Sequence, residues 1–396
     1  MRVGSPPIEL VYCTNIHPGE TLDEVEGAID LHARRVRDRV ADGNRMGLGL
    51  RLSGLAAREL RQAAARERLV GLLGEAFVVP TLNGFPFGRF HGVPVKEQVY
   101  RPDWSEDERV VYTRDLIDLI AVLPAREDGP DRSISTLPGC FRERADASAR
   151  ARIATNLLDA AAHAWRVREG GGPIIVLALE PEPWCMLETI AQTIEFFDGH
   201  LRSRAGVEHL ARTTGLAEGA AEAAIHRHLG VCLDACHAAV EFEDARGCVD
   251  ALVAAGIRIA KVQVSTGLEL AADRESLVAL RRYADDVWLH QVVARRENGL
   301  AHFVDLPQAI AAHAGDDPAI WRVHFHVPVF MAELGRFRST QAFLGEILNA
   351  VRARDACRML EVETYTWDVL PSEHRAIGVD EAIARELEWT RAWWCR

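Results

Sequence analysis

The sequence has no long apolar run, no excess of basic residues and no glycine-rich phosphate loop. Its 396 residues include 46 Lys and Arg against 58 Asp and Glu, which gives a net charge of -12. A protein that binds nucleic acid needs a basic surface, so we expect no nucleic-acid partner. A membrane span needs about 20 consecutive apolar residues, and no run approaches that length. The composition therefore favours an enzyme or binding protein for small molecules.

The eight cysteines are scattered, and the paired Cys-x-x-Cys spacing of zinc ribbons is missing. In a chain of this size, such cysteines are typical of reduced, buried thiols. The first residues also lack the apolar core of a signal peptide. We therefore expect a cytoplasmic protein.

Short apolar runs alternate along the chain with longer segments of helical period. This alternation predicts a parallel sheet, and eight or more such units predict a closed (β/α)8 barrel, or TIM barrel, in one domain over residues 1–396. An Asn298-Gly299 pair predicts an additional hairpin, so we expect an inserted hairpin and helix region near 285–315. A barrel needs eight strands and the sequence offers nine runs, so one run is surplus. The runs are 10–15, 47–52, 77–82, 133–137, 174–179, 230–234, 257–264, 322–327 and 359–365.

Several of these runs end in an ionisable residue. Glu180, Asp234 and His326 each close a run, and Glu361 and Glu363 lie in the last one. Because the carboxyl ends of barrel strands meet at one face, we expect these side chains to converge. A divalent cation relieves repulsion between carboxylates, and an imidazole can complete its ligand set. The pattern therefore predicts one divalent metal ion, with Mn²⁺, Zn²⁺, Co²⁺, Fe²⁺ and Mg²⁺ as candidates.

Three of these segments resemble the xylose isomerase-like sugar epimerases of the sugar phosphate isomerase/epimerase superfamily. They are Leu-Glu-Pro-Glu-Pro at 179–183, Leu-Asp-Ala-Cys-His at 233–237 and His-Phe-His at 324–326. The resemblance implies a xylose isomerase-like TIM barrel whose metal ligands are Glu180, Asp234, His326 and Glu363. It also implies that His237 faces the substrate.

Longer segments are similar to the EboE-type metabolite traffic proteins of bacterial ebo clusters, over essentially the whole chain. That family is itself assigned to the xylose isomerase-like barrels. The segments are Lys-Val-Gln-Val-Ser at 261–265, Leu-His-Gln-Val at 289–292, Arg-Val-His-Phe-His-Val-Pro-Val-Phe at 322–330 and Glu-Val-Glu-Thr-Tyr-Thr-Trp-Asp-Val-Leu-Pro at 361–371.

The sequence departs from the epimerase pattern on the strand after Asp234. That strand carries a histidine ligand in the simpler epimerases, and here it offers Gln263. Either Gln263 replaces the imidazole, or residues 257–313 are an insertion and His326 is the ligand. We favour His326, because imidazole is the better ligand for first-row metals. Glu361 and Glu363 point the same way on a strand, so one could bind metal and the other substrate.

Other polar or aromatic residues at predicted strand ends are candidates for substrate binding. Each has an ordinary structural alternative, such as core packing for His290, a helix cap for His17 or an ion pair for Lys261. Trp184 could stack on a sugar face, as aromatic side chains do. The full candidate set is His17, Trp184, His237, Lys261, Gln263, His290 and His324.

These features favour a metal-dependent isomerase or epimerase acting on a sugar, cyclitol or related polyol through an enediolate. The metal would acidify a carbon-bound proton, and Glu180, Glu361, Glu363 or His237 would transfer it. One alternative is a metal-dependent phosphoesterase related to apurinic endonucleases, against which the negative charge argues. The other is a non-catalytic metabolite carrier. Barrel enzymes often self-associate, so a homo-oligomer is also an open expectation.

Overall fold

The computed structural model describes residues 1–313 and 319–396, which form a barrel and a second, smaller sheet. The strands are β1 (Arg2–Val3), β2 (Ile8–Cys13), β3 (Met46–Arg51), β4 (Phe77–Asn83), β5 (Arg132–Thr136), β6 (Ile175–Leu179), β7 (Leu229–Asp234), β8 (Arg258–Val264), β9 (Leu268–Ala271), β10 (Val292–Arg296), β11 (Gly299–Phe303), β12 (Ile320–Val323), β13 (Glu333–Leu334), β14 (Phe337–Ser339) and β15 (Met359–Val362).

The helices cover the outside of the barrel and connect its strands. They are α1 (Leu22–Ala28), α2 (Arg34–Val40), α3 (Gly54–Glu59), α4 (Ala63–Leu73), α5 (Asp107–Ile120), α6 (Ala147–Glu169), α7 (Ile190–Phe196), α8 (Arg204–Thr214), α9 (Glu218–His228), α10 (Ala235–Val240), α11 (Ala245–Ala254), α12 (Arg274–Leu280), α13 (Leu306–Ala312), α14 (Gln341–Arg354) and α15 (Val379–Trp394). Among the described residues, none of these helices combines the length and the apolar character needed to cross a bilayer.

Eight parallel strands close the barrel in the order β2, β3, β4, β5, β6, β7, β8, β15, and β15 pairs with β2. The central strands are near-continuous apolar runs because both of their faces are buried, as β6 shows with Ile175 to Leu179. The short β1 adds to β2 in the antiparallel sense. The predicted (β/α)8 barrel is therefore confirmed.

The surplus strand of the sequence pattern belongs to a six-stranded antiparallel sheet in the order β11, β10, β12, β9, β14, β13. This sheet lies between β8 and β15 in the chain, and we call residues 267–340 the insert. The predicted hairpin is present as β10 and β11, with Arg296 paired to Gly299, and α13 follows it. The insert is larger than the predicted 285–315 region, whose positions 314 and 315 lie outside the described residues.

Two expectations about this region were wrong. Residues 258–264 form a barrel strand, so the insertion does not begin at 257. The run at 322–327 is not a barrel strand, because β12 ends at Val323 and pairs antiparallel with β9 and β10. After Val323 the chain turns back onto the barrel, where the Val327 N–H donates to the Thr266 carbonyl at 2.9 Å. His324 and His326 therefore reach the barrel mouth from the insert.

All eight cysteines are unpaired and seven are buried, as the spacing predicted.

Candidate metal centre

Carboxylates from the barrel and histidines from the insert meet at the carboxyl ends of the strands. Glu180 follows β6, Asp234 ends β7 and Glu363 follows β15. Among the described residues, three sets have potential ligand atoms within 4.8 Å of one another. These sets are His237, His324 and His326; Glu180, Asp234 and His237; and Asp234, Cys236 and His326.

Asp234 has one engaged oxygen and one free oxygen. Its Oδ1 accepts the His237 backbone N–H at 2.9 Å, which caps α10, and the Ser265 hydroxyl at 2.8 Å. Its Oδ2 is buried and has no hydrogen-bond partner among the residues that the structure describes. An unpartnered carboxylate oxygen in the interior is costly unless a ligand or ion satisfies it. Asp234 is therefore held in place by one oxygen and offers the other.

Backbone carbonyls fix the tautomers of His237 and His326. The Nδ1 of His237 lies 3.0 Å from the Pro181 carbonyl oxygen, and the Nδ1 of His326 lies 3.0 Å from the Glu363 carbonyl oxygen. Since a carbonyl oxygen only accepts, each Nδ1 must carry the proton, and each Nε2 presents a lone pair. This is the arrangement found in metal-binding histidines, whose second nitrogen donates to an outer acceptor.

A chain of side chains fixes His324 in the same way. Its Nδ1 donates to Gln291 Oε1 at 2.8 Å, and Gln291 Nε2 donates to the Tyr100 hydroxyl at 2.8 Å. Tyr100 in turn donates to Glu182 Oε1 at 2.8 Å. Each donor in this chain has a matching acceptor, so His324 Nε2 carries a lone pair, which the Tyr365 hydroxyl faces at 3.4 Å.

The three imidazole lone pairs face one another without protons between them. The Nε2 atoms of His237 and His324 are 3.1 Å apart, and His326 Nε2 has no hydrogen-bond partner among the described residues. Burial lowers the pKa of all three histidines, to about 4 for His326 and well below the usual value for His324. Neutral imidazoles with converging lone pairs are the form that binds a metal, so these residues fit a divalent cation.

The neighbouring carboxyl groups are crowded. Burial, then the Asp234 charge, raises the pKa of Glu180 to about 8. Burial, then Glu180 and Asp234, raises the pKa of Glu363 well above its usual value. A cation beside them would favour their ionised forms, as opposite charges do. The charge balance of the site therefore also fits a bound cation.

Two predicted site residues lie beneath this cluster, inside the barrel. Lys261 and Glu361 are fully buried and form an ion pair, and Lys261 Nζ is 3.4 Å from Asn83 Oδ1. Burial is the largest single influence and opposes the Lys261 charge, but Glu361 and the other acidic groups around it together outweigh burial and raise the pKa of Lys261. The structure therefore engages Glu361 with Lys261 and leaves Glu363 at the mouth. The expectation that Lys261 contacts substrate is not supported by its position.

Gln263 lies at the boundary between this ion pair and the cluster. In strand register it is opposite both Asp234 and Glu361. Its side chain is fully buried, and neither amide atom has a hydrogen-bond partner among the described residues. His326 is a member of two ligand sets, and the unpartnered Gln263 amide lies beside the same cluster, so the preference for His326 over Gln263 as the ligand stays a prediction.

A cavity of about 650 Å³, counted with its open end, lies over the cluster. Glu180, Glu182, His237, His324 and Glu363 contribute to its lining. Asp234 and His326 are fully buried behind these residues, which form the floor of the cavity.

Three other predicted substrate contacts lie away from the cavity lining. His17 hydrogen bonds to Tyr12 and stacks on His32 with 4.1 Å between ring centroids. Trp184 packs under the Arg142 guanidinium, 3.7 Å from its ring centroid.

His290 is the third of these residues. It is buried, bonds to Asp285 Oδ2 at 2.6 Å and reaches the His324 carbonyl at 3.1 Å. It therefore supports the backbone of the insert beside His324 and does not face the cavity.

Sequence reasoning missed several residues of the site. Glu182 stands two residues after Glu180 in the same motif, and Gln291 lies in the Leu-His-Gln-Val segment, so a signal existed for both. Tyr100 lies in a loop after β4 with no distinctive pattern around it. Asn15 and Asn83 line the cavity from the ends of β2 and β4. The Asn15 amide donates to Glu363.

The sequence matches no protein-family model and no curated protein. A xylose isomerase-like TIM barrel protein from Mycobacterium smegmatis, in complex with magnesium, has a TM-score of 0.53 at 9% identity over 99% of this chain and 98% of that chain. An IolI protein with a bound zinc atom has a TM-score of 0.48 at 12% identity, covering 98% of each chain. The 3-keto-D-glucoside 4-epimerase YcjR from E. coli has a TM-score of 0.45 at 14% identity, over 97% of this chain and 99% of that chain. The match to the Mycobacterium smegmatis protein shows that the chain has the xylose isomerase-like TIM-barrel fold.

Proposed function

We propose that the chain is a divalent-metal-dependent isomerase or epimerase that acts on a sugar, cyclitol or related polyol. The observation that carries this proposal is the convergence of three imidazoles, two of which, His237 and His326, also share a ligand set with Asp234, whose Oδ2 is free. The metal-bound xylose isomerase-like barrel from Mycobacterium smegmatis supports it through the shared fold.

Asp234, His237, His324 and His326 would hold the cation, with Glu180 within reach of Asp234 and His237. This set replaces the predicted set of Glu180, Asp234, His326 and Glu363 by exchanging two carboxylates, Glu180 and Glu363, for two histidines. These are His237, which follows β7 of the barrel, and His324 of the insert. An imidazole-rich set suits Zn²⁺, Co²⁺, Fe²⁺ or Mn²⁺ better than Mg²⁺. When bound, the cation supplies Lewis acidity that polarises a substrate carbonyl and acidifies the neighbouring C–H.

Glu180 and Glu363 are suited to move that proton. Both line the cavity, and they extend from β6 and β15, which β7 and β8 separate in the barrel. Two carboxyl groups that approach one carbon chain from different strands can remove a proton and return it at another position or on another face. Glu361 is excluded from this role by its ion pair with Lys261.

Solvent isotope exchange tests the proposal. The Co²⁺- or Zn²⁺-loaded protein is incubated in D₂O with a panel of ketoses, aldoses and keto-cyclitols, and NMR follows each C–H next to a carbonyl. We expect deuterium to enter one member of the panel. Glu180→Gln or Glu363→Gln should abolish entry, and Glu188→Gln, outside the cavity, should not.

Absence of both exchange and conversion for every member, with metal bound, would overturn the proposal. Binding without exchange would instead favour the carrier function.

The segments at 322–330 and 361–371 lead us to infer that the chain is an EboE-type protein. Whether the protein is an enzyme or a carrier, the same cavity and metal centre would hold the metabolite.

A further inference from the structure

We propose that the substrate is uncharged and carries an apolar, flat group next to its hydroxylated head. This inference rests on the proposed function, since it places the head at the metal centre. It goes further by naming the chemical class that the rest of the cavity accepts.

The charges of the cavity exclude an anionic substrate. Its described lining includes the carboxyl groups of Glu180, Glu182 and Glu363 and contains neither Lys nor Arg. Lys261 is beneath the floor in its ion pair with Glu361. Binding a phosphate or carboxylate normally requires Arg, Lys or several free N–H groups. An anion in this cavity would face three carboxyl groups, and no Lys or Arg of the described lining adds positive charge to that of the proposed metal ion.

The guanidinium of Arg51, in a neighbouring groove, is also unavailable. It donates to the carbonyl oxygens of Gly19 at 3.0 Å and of Pro86 at 3.2 and 3.3 Å. Its donors are therefore engaged with backbone on the far side of Phe90, whose ring lies 5.7 Å from the guanidinium.

The upper walls of the cavity are largely apolar and include the aromatic rings of Phe85, Phe90 and Trp288. Most of the polar lining lies at or just beyond the ends of barrel strands, with His324 added from the insert. Most of the apolar lining comes from the loops beyond these ends and from the insert. Trp288 packs against Phe90 and Tyr365, and its indole N–H is already donated to the Phe90 carbonyl at 3.1 Å. The apolar side chains of these walls are Phe85, Phe90, Val99, Leu137, Trp288 and Leu289.

Such walls disfavour a substrate that is hydroxylated along its whole length. Hydroxyl groups placed against them would lose hydrogen bonds to water and gain none from the protein. A flat apolar group would instead bury its surface against the aromatic rings. The cavity thus matches a neutral, amphipathic metabolite and not a sugar phosphate.

Four small α-hydroxyketones test the inference, because they share one metal-chelating head. These probes are α-hydroxyacetophenone, hydroxyacetone, dihydroxyacetone and dihydroxyacetone phosphate. Their affinities for the Co²⁺-loaded protein are measured by calorimetry, and the Co²⁺ absorption bands report coordination of the head. We expect the phenyl probe to bind at least about tenfold more tightly than hydroxyacetone. The phosphate should bind no more tightly than dihydroxyacetone.

Val99 provides the matched variants. It is half-buried in the short helix Lys96–Tyr100, so a larger polar side chain can be accommodated. Val99→Lys should give dihydroxyacetone phosphate an advantage of about tenfold over dihydroxyacetone, and Val99→Ala should not.

A wild-type preference for the phosphate, or equal affinities for the phenyl and methyl probes, would overturn the inference. Absence of Co²⁺ bands would contradict the proposed metal centre separately. Calorimetry on the metal-free protein would then still compare the four probes against the same walls.

Discussion

At the scale of single residues, Gln291 has the most specific role outside the candidate ligands. Its Oε1 accepts a hydrogen bond from His324 Nδ1, and its Nε2 donates one to the Tyr100 hydroxyl. Gln291 therefore fixes both the tautomer and the orientation of one imidazole. Partners of this kind tune metal affinity in other metal sites. Gln291 comes from the insert and Tyr100 from a barrel loop, so this small network spans both parts of the chain.

Gln291→Leu should weaken Co²⁺ binding by about 10- to 100-fold, because His324 would lose the acceptor that holds its proton on Nδ1. Competition with a chelator measures the affinity. Tyr100→Phe is the matched control, since it leaves the Gln291 oxygen in place, and it should have the smaller effect. Equal affinity in wild type and Gln291→Leu would show that His324 is not a ligand.

The Lys261–Glu361 pair shows where sequence reasoning about single residues reaches its limit. Both residues carry the expected charge at a barrel strand, and the sequence could not tell a ligand from an ion-pair partner. Glu361 and Glu363 differ by two positions, yet one packs against Lys261 inside the barrel and the other lies beyond the strand end. The distinction depends on where β15 ends, which apolar patterning predicts poorly.

Lys261→Met should destabilise the protein by about 3–5 kcal/mol, because it leaves the Glu361 carboxylate buried without a partner. The double variant Lys261→Met with Glu361→Gln should recover most of this loss, as urea unfolding would show. The double variant should also keep its metal content. Loss of the metal in that folded double variant would instead make Glu361 a ligand.

At the scale of elements, the barrel strands were largely predictable and the insert was not. Strands such as β6 are buried on both faces, so their sequences are short unbroken apolar runs that stand out from the helical pattern. The strands β9, β13 and β14 are only two to four residues long and partly exposed. Such short segments carry no reliable period, so only the β10–β11 hairpin, with its Asn298-Gly299 turn, was anticipated.

The placement of His324 and His326 depends on tertiary structure in the same way. The sequence assigned them to a barrel strand because a run of apolar residues surrounds them. In the structure they follow β12 of the insert, and the segment returns to the barrel through the contact between Val327 and Thr266. His326 lies close to Asp234, as a shared metal site would require, but the route that brings it there was predicted wrongly.

Metal binding should therefore tie the insert to the barrel. Hydrogen exchange of the segment 320–327 should slow when Co²⁺ or Zn²⁺ is added, because ligands on both sides would be held together. The central strand β6 should change little. The same experiment on Asp234→Ala, which removes the carboxylate among the two barrel-side ligands, Asp234 and His237, should show much less slowing. Two results would contradict this coupling. One is slowing of exchange that is equal across the whole barrel, and the other is slowing of segment 320–327 in the variant that equals that of wild type.

At the scale of the whole molecule, the sequence predicts the fold more securely than it predicts the chemistry. Eight alternating units close into a barrel, and the convergence of their carboxyl ends brings distant residues to one face. We propose that the barrel and the insert form one domain, since the candidate ligands come from both. The substrate depends on the loop walls above the strand ends, which the periodic pattern does not reveal.

The metal content of the folded protein tests the central claim most directly. The protein is reconstituted with Co²⁺ or Zn²⁺, freed of loosely bound ions by gel filtration and analysed by mass spectrometry. The account predicts about one equivalent per chain in wild type and in His302→Gln, which changes a histidine elsewhere in the insert. It predicts loss of most of the metal in Asp234→Ala and His326→Ala, with the fold retained by circular dichroism. A folded wild type that binds no metal, or variants that bind as much as wild type, would contradict it.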